Sequence, residues 1–205
     1  MSKKKCNVNL ITLGDTTVGK SSLIYRYIDD IFNENLLPTI GIDFKTINIK
    51  ISEDEEIGVR IFDTAGQERY KTISNNYIKN ADGILFIYDI TRLETFERVK
   101  VWVSDIEDKE KNLPSLLIGN KSDLEKKRQV PKEKGEELAK NLNFVNYFET
   151  SCQNGNNVKE SINTLAEYIY RLKSKNEEPK DIKKFVIDKY GNVKEKKVLK
   201  NKCCK

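Results

Sequence analysis

Short apolar runs recur along most of the chain and alternate with amphipathic stretches. We predict strands at residues 8–13, 57–62, 84–88 and 116–118. All but the second are almost unbroken in apolar residues, which is typical of strands buried on both faces. Residues 44–51 instead alternate apolar and polar positions, as an edge strand with one solvated face would.

Between these runs, apolar residues recur at the three- and four-residue spacing of helices. The alternation of strands and helices predicts an α/β fold with a mostly parallel sheet covered on both sides. The one tryptophan, Trp102, falls on such a helix and is expected to pack against the sheet. The helical positions are Phe96, Val99, Trp102, Val103 and Ile106, then Leu138 and Leu142, then Val158, Ile162, Leu165, Ile169 and Leu172.

The length of 205 residues most simply corresponds to one domain with a full core. No apolar run approaches the ~20 residues that a membrane-spanning helix needs, and residues 1–10 contain no secretory apolar region. The four cysteines lack the spacing of a disulfide framework. These features predict a protein kept in the cytosol, with its cysteines as thiols.

Charge is unevenly distributed along the chain. The net charge is +5, and residues 173–205 alone hold twelve lysines and five acidic residues. We therefore predict a nearly neutral globular domain at residues 1–172 and a flexible, lysine-rich tail at residues 173–205. The chain contains no histidine, which excludes histidine-based acid–base catalysis and histidine metal ligands.

The segment GDTTVGKS, residues 14–21, has the spacing G-x-x-x-x-G-K-[ST] of a phosphate-binding loop, or P-loop. It follows a predicted buried strand and precedes a helical pattern, which favours this interpretation over an ordinary glycine-rich turn. Lys20 is expected to reach the β- and γ-phosphates, and Ser21 to bind Mg²⁺. Thr17 suits the loop only if its φ stays negative. The expected nucleotide-binding residues here are Gly14, Asp15, Thr16, Thr17, Val18, Gly19, Lys20, Ser21 and Ser22.

The segment DTAGQE, residues 63–68, directly follows another predicted strand. Asp63 can complete the Mg²⁺ shell opposite Ser21. Gly66 can bring a bare N–H close to a γ-phosphate, and Gln67 can orient a water for in-line attack. A polar turn would explain the aspartate and the glycine, but not the whole hexapeptide beside a P-loop.

ATPases, kinases and GTPases share the P-loop, so the base must be identified elsewhere. In GNKSD, residues 119–123, Asp123 can accept hydrogen bonds from guanine N1–H and the exocyclic amine, a pattern that adenine lacks. Asn120 and the aliphatic stem of Lys121 would brace the loop and cover the base. The four residues N-K-x-D are weak evidence alone, but after a P-loop and DTAGQ they indicate guanine.

Taken together, residues 7–172 resemble the Ras superfamily of small GTPases and, within it, the Rab branch. PTIGIDF resembles the Rab switch I, ERYKTIS its switch II, ADGILFIYDIT its central strand and ETSCQ its fifth nucleotide motif. The resemblance implies a P-loop NTPase fold, with a six-stranded sheet that has one antiparallel strand and five flanking helices. It also implies an Mg²⁺-dependent switch between GTP and GDP that hydrolyses GTP and recruits effectors to membranes in vesicle trafficking.

The resemblance also implies roles for single residues. Catalysis would rest on Gln67, Lys20 and Thr39, with Thr39 closing on Mg²⁺ and the γ-phosphate in the GTP state. Phe32 would pack against guanine. The backbone at Ser151 and Cys152 would contact guanine O6.

An aromatic triad that effectors read in the family would fall on Phe44, Phe62 and Tyr77. Phe62 is smaller than the tryptophan usual at its position, and Leu36 stands where an aromatic residue often covers the phosphates. Cys152 and Gln153 replace the alanine and lysine of the usual fifth motif. None of these departures removes a group needed for binding or hydrolysis.

The C-terminal residues CCK resemble the double-cysteine prenylation signals of Rab proteins, with Cys203 and Cys204 as the acceptors. Two lipid chains anchor a protein stably where one binds only marginally. Val198 and Leu199 resemble the apolar pair that escort proteins and GDP dissociation inhibitors hold. With an exchange factor and a GTPase-activating protein as further partners, the protein would cycle between the cytosol and the cytoplasmic face of intracellular or plasma membranes.

Two other classes of protein fit the sequence less well. A nucleic-acid-binding protein is disfavoured because the tail has no series of aromatic residues on which bases could stack, and its basic residues are all lysines. We therefore expect no nucleic-acid partner. A scaffold that binds nucleotide without hydrolysis is disfavoured by intact Gln67, Thr39 and Lys20.

Overall fold

A computed structural model describes residues 6–34, 36–37, 39, 41–53, 55–64, 77–107 and 113–174, and the backbone of 4–5, 184–187 and 193–196. Its main sheet has six strands in the order β2-β3-β1-β4-β5-β6. All neighbouring strands are parallel except β2, which runs antiparallel to β3. The strands are β1 (Lys4–Leu13), β2 (Ile42–Lys50), β3 (Glu55–Thr64), β4 (Gly83–Asp89), β5 (Ser115–Asn120) and β6 (Tyr147–Thr150). The predicted α/β fold with a mostly parallel sheet is confirmed.

Four α-helices connect or follow these strands within the described residues. A 3₁₀-helix (Ser122–Lys127) follows β5, and residues 77–80 are also helical, directly after residues 65–76, which are not described. The predicted helical positions all fall on helices except Leu142, which caps one. The helices are α1 (Lys20–Asp29), α2 (Leu93–Glu107), α3 (Lys132–Asn141) and α4 (Val158–Ser174).

Two hydrophobic cores lie on opposite faces of the sheet because successive strand residues point to opposite sides. On β1, Val8 and Leu10 belong to the core under α1 and α4, whereas Ile11 and Leu13 belong to the core under α2 and α3. The central strand β4 is buried at all seven positions. The edge strand β2 is mostly half-buried or exposed, which explains its alternating sequence.

The parallel strands β1, β3, β4, β5 and β6 end at one edge of the sheet, where the crevice of an open α/β sheet binds its ligand. Register places Asp89, the last residue of β4, beside Asn120, the last residue of β5. Asn120 in turn lies beside Thr150, the last residue of β6. The P-loop, DTAGQE, GNKSD and ETSCQ segments therefore begin at neighbouring points.

Two features differ from the sequence prediction. Strand β6 was not predicted, because its four residues mix polar and aromatic side chains without a clear period. Residues 173–205, for which no element was predicted, include the strands β7 (Lys184–Ile187) and β8 (Val193–Lys196), which pair antiparallel as a separate two-stranded sheet. Among the described residues no helix is both long and apolar enough to cross a membrane.

Candidate nucleotide-binding site

The P-loop leaves β1 through two glycines that other residues could not replace. Gly14 has φ +150° and a Cβ there would lie 2.1 Å from the carbonyl oxygen of Ile87. Gly19 has φ +97°, and a Cβ would lie 2.3 Å from Nδ2 of Asn120. The tight approach of the loop to β4 and to Asn120 therefore requires glycine at both positions.

Helix α1 begins at the end of the P-loop without a side-chain cap and without an acidic residue in its first turn. Its first backbone N–H groups and its dipole therefore favour an anion. Lys20 is 5% exposed, and its ammonium donates to the carbonyl oxygens of Gly14 (3.0 Å) and Asp15 (2.8 Å). Burial lowers the pKa of Lys20 to about 8, although Asp63 and Asp15 oppose the shift. A bound phosphate would restore the charged form.

Thr17 contradicts the expectation that its φ is negative. The residue has φ +62°, in the left-handed region that a β-branched side chain rarely adopts. The close approach of the loop to β4 and the bond from Asn120 to the Val18 carbonyl oxygen constrain the backbone here and override the preference of the side chain. Thr17 therefore carries local backbone strain.

Three oxygen-bearing side chains converge beside the start of α1. The Ser21 hydroxyl donates to Oδ2 of Asp63 (2.6 Å) and lies 2.8 Å from Oγ1 of Thr39, which is 3.1 Å from the same carboxylate oxygen. The other oxygen of Asp63, Oδ1, is buried and has no hydrogen-bond partner. Burial raises the pKa of Asp63, against the hydrogen bonds from Ser21 and Thr39. A cation would satisfy this carboxylate.

On the other side of the P-loop, Asn120 joins three segments. It is 1% exposed, and its amide donates to the carbonyl oxygen of Val18 (2.9 Å). Its own oxygen accepts from the Thr150 hydroxyl (3.1 Å) and from the Cys152 thiol (3.4 Å). Burial raises the pKa of Cys152 to about 11, despite that hydrogen bond, so the thiol stays protonated and packs as a small apolar residue.

The carboxylate of Asp123 accepts a hydrogen bond from the hydroxyl of Ser151, which fixes its orientation. Ser151 is fully buried, and its backbone N–H donates to the carbonyl oxygen of Asn156. The ETSCQ loop is thereby held against GNKSD. The guanidinium of Arg26, on α1, donates to the backbone carbonyl oxygen of Gln153 (2.6 Å), and this bond links the ETSCQ loop to α1.

Asp89 is a site residue that the sequence reasoning missed. It is 1% exposed, and Lys121 Nζ lies 2.6 Å and Arg92 Nε 3.3 Å from its Oδ2. Burial opposes ionisation, but the hydrogen bonds from Lys121 and Thr91 outweigh it and hold the pKa of Asp89 below its usual range. In the sequence, Asp89 could have been recognised as the acidic residue of YDIT, at the end of a predicted buried strand. Its partner on GNKSD could be found only from the register of β4 and β5.

Residues of these four segments line one cavity of about 530 Å³. Phe32, Leu36 and Leu37 contribute apolar side chains to its lining. The side chains of Asp15 and Val18 point elsewhere: Val18 is fully buried in the core, and Asp15 bonds helix α2. The cavity is lined by Thr16, Thr17, Gly19, Lys20, Ser21, Ser22, Phe32, Asn33, Glu34, Leu36, Leu37, Thr39, Thr64, Asn120, Lys121, Asp123, Leu124, Cys152 and Gln153.

Several predicted functional residues lie outside the described part of the chain. They are Gly66 and Gln67 in the DTAGQE segment, and Val198, Leu199, Cys203 and Cys204 in the tail. Trp102 packs against the core under α2, as predicted, and its indole N–H also bonds Asp15, which the sequence did not indicate.

The sequence model of the Ras family matches residues 9–171. The chain belongs to the Ras family. It is 42% identical over 161 residues to the human Ras-related protein Rab-8B, covering 78% of this chain and 77% of that protein. It is 44% identical to Rab-13 of Mesocricetus auratus, over 78% of each chain. With Rab-10 of Diplobatis ommata it shares 40% identity, over 82% of this chain and 85% of the relative.

Membership of the Ras family, with Rab proteins as relatives, confirms the predicted family, fold and enzyme class. The protein is a Rab-like small GTPase: it binds GTP and GDP, hydrolyses GTP and acts in membrane-associated vesicle trafficking. Such a switch interacts in general with effectors, exchange factors, GTPase-activating proteins and GDP dissociation inhibitors.

The three aromatic residues carried over from the family do lie together. The rings of Phe44 and Phe62 are 5.9 Å apart between centroids, and those of Phe62 and Tyr77 are 5.2 Å apart. Phe44 is 54% exposed, and the guanidinium of Arg60 lies 5.2 Å from its ring centroid. An apolar ring at the edge of the sheet, beside a cation, is thus presented to solvent.

Proposed function

We propose that the cavity at the end of the sheet binds GTP or GDP together with Mg²⁺. One observation carries the proposal: the P-loop, the oxygen cluster of Ser21, Thr39 and Asp63, and the carboxylate of Asp123 face the same cavity or border it. The backbone of residues 14–22, with Lys20, would hold the phosphates.

The oxygen cluster fits Mg²⁺ by its chemistry. In the part of the chain that the structure describes, no group of three or more acidic or cysteine side chains could hold a metal. The cluster instead offers one carboxylate and two hydroxyls, and Mg²⁺ in nucleotide sites takes few protein ligands beside phosphates and water. When bound, Mg²⁺ would neutralise charge on the β- and γ-phosphates. Asp63 Oδ1, which has no other partner, would complete the shell from the protein side.

Recognition of guanine would rest on Asp123, held by Ser151, with Asn120 and Lys121 bracing the loop and Phe32 and the backbone at Cys152 packing around the base. The salt bridge from Lys121 to Asp89 fixes the lysine stem beside the cavity. Adenine would leave the carboxylate without its two N–H partners in a partly buried site, and an unsatisfied buried acceptor costs binding free energy.

Hydrolysis is proposed to depend on Gln67, which would orient the attacking water. We expect Gln67→Leu to slow single-turnover phosphate release at least about tenfold, because a positioned polar group contributes that much or more to proton and water chemistry. The affinity for GTP is the internal control, since Gln67 has no proposed role in binding the ground state. Release as fast as in the wild type, alone and with a GTPase-activating protein, would remove Gln67 from the mechanism.

The aromatic triad of Phe44, Phe62 and Tyr77 is proposed as the surface that effectors contact. An exposed aromatic ring that packs on two others presents apolar area at little cost in conformational entropy. Because Thr39, three residues before β2, belongs to the oxygen cluster, the γ-phosphate would order this surface, and hydrolysis would release it.

We further propose that the tail anchors the protein to the cytoplasmic face of a membrane through prenyl groups on Cys203 and Cys204, with an escort protein and a GDP dissociation inhibitor as partners. The lysines of the tail would add attraction to anionic lipids of up to ~1 kcal/mol each. Mass spectrometry of the protein from its native cell is expected to show two C20 additions. Free thiols at both positions on membrane-bound protein would contradict this, and Cys203→Ser is expected to leave one addition.

A further inference from the structure

One side chain directly before α2 and two side chains of α2 bond the second and third residues of the P-loop. The indole N–H of Trp102 donates to Oδ1 of Asp15 (3.2 Å), and Nε of Arg98 lies 3.1 Å from the same oxygen. Nη2 of Arg92 donates to the carbonyl oxygen of Thr16 (3.1 Å). We name Arg92, Arg98 and Trp102 the P-loop clamp.

The contacts of the P-loop clamp differ in how far they are shielded from solvent and how firmly each side chain is held. The side chain of Asp15 is 13% exposed, whereas that of Arg98 is 39% exposed, so solvent screens this ion pair. The side chain of Arg92 is nearly as exposed, at 33%, but it is better held because its Nε also bonds Asp89, which is almost fully buried. The indole of Trp102 packs against the core under α2. Arg92 and Trp102 are therefore the stronger members of the clamp.

The residue next to the clamped pair is Thr17, whose φ of +62° is unfavourable for a β-branched side chain. A strained residue persists only where its surroundings determine its conformation. Toward its C-terminus, Val18 is tied to Asn120 through its carbonyl oxygen, and toward its N-terminus the clamp holds residues 15 and 16. Hydrogen bonds therefore hold the backbone on both sides of the strained residue Thr17.

We propose that Arg92 and Trp102 are positioning residues that hold the P-loop in its strained, phosphate-binding conformation and thereby slow the release of bound nucleotide. Without them, Thr17 can relax toward negative φ, and the loop turns its N–H groups away from the β-phosphate. The inference rests on the proposed nucleotide site, because it assigns the clamp a role through that site.

The first test measures the release of a fluorescent GDP analogue from Arg92→Ala and Trp102→Phe, both in excess unlabelled GDP and Mg²⁺. Each variant is expected to release the analogue about three- to tenfold faster, the size expected for the loss of one hydrogen bond. Trp102→Phe removes the N–H and keeps an aromatic ring. Val101→Ala, an exposed position on the same helix, and Arg171→Ala on α4 serve as controls and should release at the wild-type rate.

The second test separates positioning from general loosening of the fold. Glycine adopts positive φ without strain, so Thr17→Gly removes the backbone strain that would drive the loop away from this conformation. Adding Trp102→Phe or Arg92→Ala to Thr17→Gly is then expected to change release less than about twofold. An equal acceleration in both backgrounds would show that the clamp acts through something other than Thr17, and would overturn the proposal.

Failure of the clamp is distinguishable from failure of the nucleotide site. If the wild type does not bind the GDP analogue, the proposed site is wrong. If the wild type binds it, and both clamp variants release it at the wild-type rate, the site stands and the clamp is wrong. Thermal unfolding in saturating GDP checks that each variant is folded.

Discussion

Asp123→Asn is expected to weaken binding of GDP by ~10²–10⁴-fold, because hydrogen bonds to a charged group are worth about 1.5–3 kcal/mol each and two would be lost. The amide N–H groups of the asparagine would also face the N–H donors of guanine, so donor would meet donor. Xanthine carries a carbonyl oxygen where guanine has its amine, so the variant should gain affinity for xanthosine diphosphate. The Ser151 hydroxyl, which holds the carboxylate in place, can equally donate to the amide oxygen.

Competition titrations with guanosine, xanthosine and adenosine diphosphates measure this change in specificity. Glu125→Gln is the matched control: it makes the same acid-to-amide change in the same 3₁₀-helix, on a side chain that is 66% exposed and pairs with Arg128. The control should keep the wild-type order of affinities. If Asp123→Asn also keeps its preference for guanine, then Asp123 does not read the base.

The sequence was most informative where a local motif coincides with a strand end. The P-loop spacing requires glycine at Gly14 and Gly19, and both have positive φ in the structure. Asp63 lies at the end of β3 and Asp123 shortly after β5, and parallel strands bring their carboxyl ends together, so their proximity to the P-loop follows from the fold class. The pattern of apolar residues therefore predicted five of the six strands, and the motifs at the strand ends indicated the place of the cavity.

The sequence was least informative where the geometry depends on contacts between distant elements. Thr17 was expected at negative φ on its own propensity, but contacts from Arg92, Trp102 and Asn120 determine the conformation of the loop instead. The bond from Trp102 to Asp15 crosses 87 positions of the chain. Nothing in the helical period of α2 indicates which of its side chains reaches the P-loop.

The largest effect of metal removal is expected on the release of GDP. Chelation of Mg²⁺ should accelerate release ~10²–10³-fold, since a bound divalent cation stabilises phosphate charge by several kcal/mol and each 1.4 kcal/mol is tenfold. The cluster of Ser21, Thr39 and Asp63 is the proposed protein contribution to this stabilisation. Its carboxylate has one buried oxygen without a partner, so the cost of burying that charge falls when a cation binds.

Asp63→Ala tests whether this cluster is the metal site. The variant is expected to release GDP rapidly already in millimolar Mg²⁺, and a chelator should then change its rate less than about twofold, because the ligand that couples the metal to the protein is gone. Asp29→Ala, which removes a carboxylate paired with Lys45 outside the cluster, should keep the full response to the chelator. If Asp63→Ala still responds to the chelator as strongly as the wild type, Mg²⁺ is held elsewhere. The oxygen cluster would then be a hydrogen-bond network that only orders Thr39 and the start of α1.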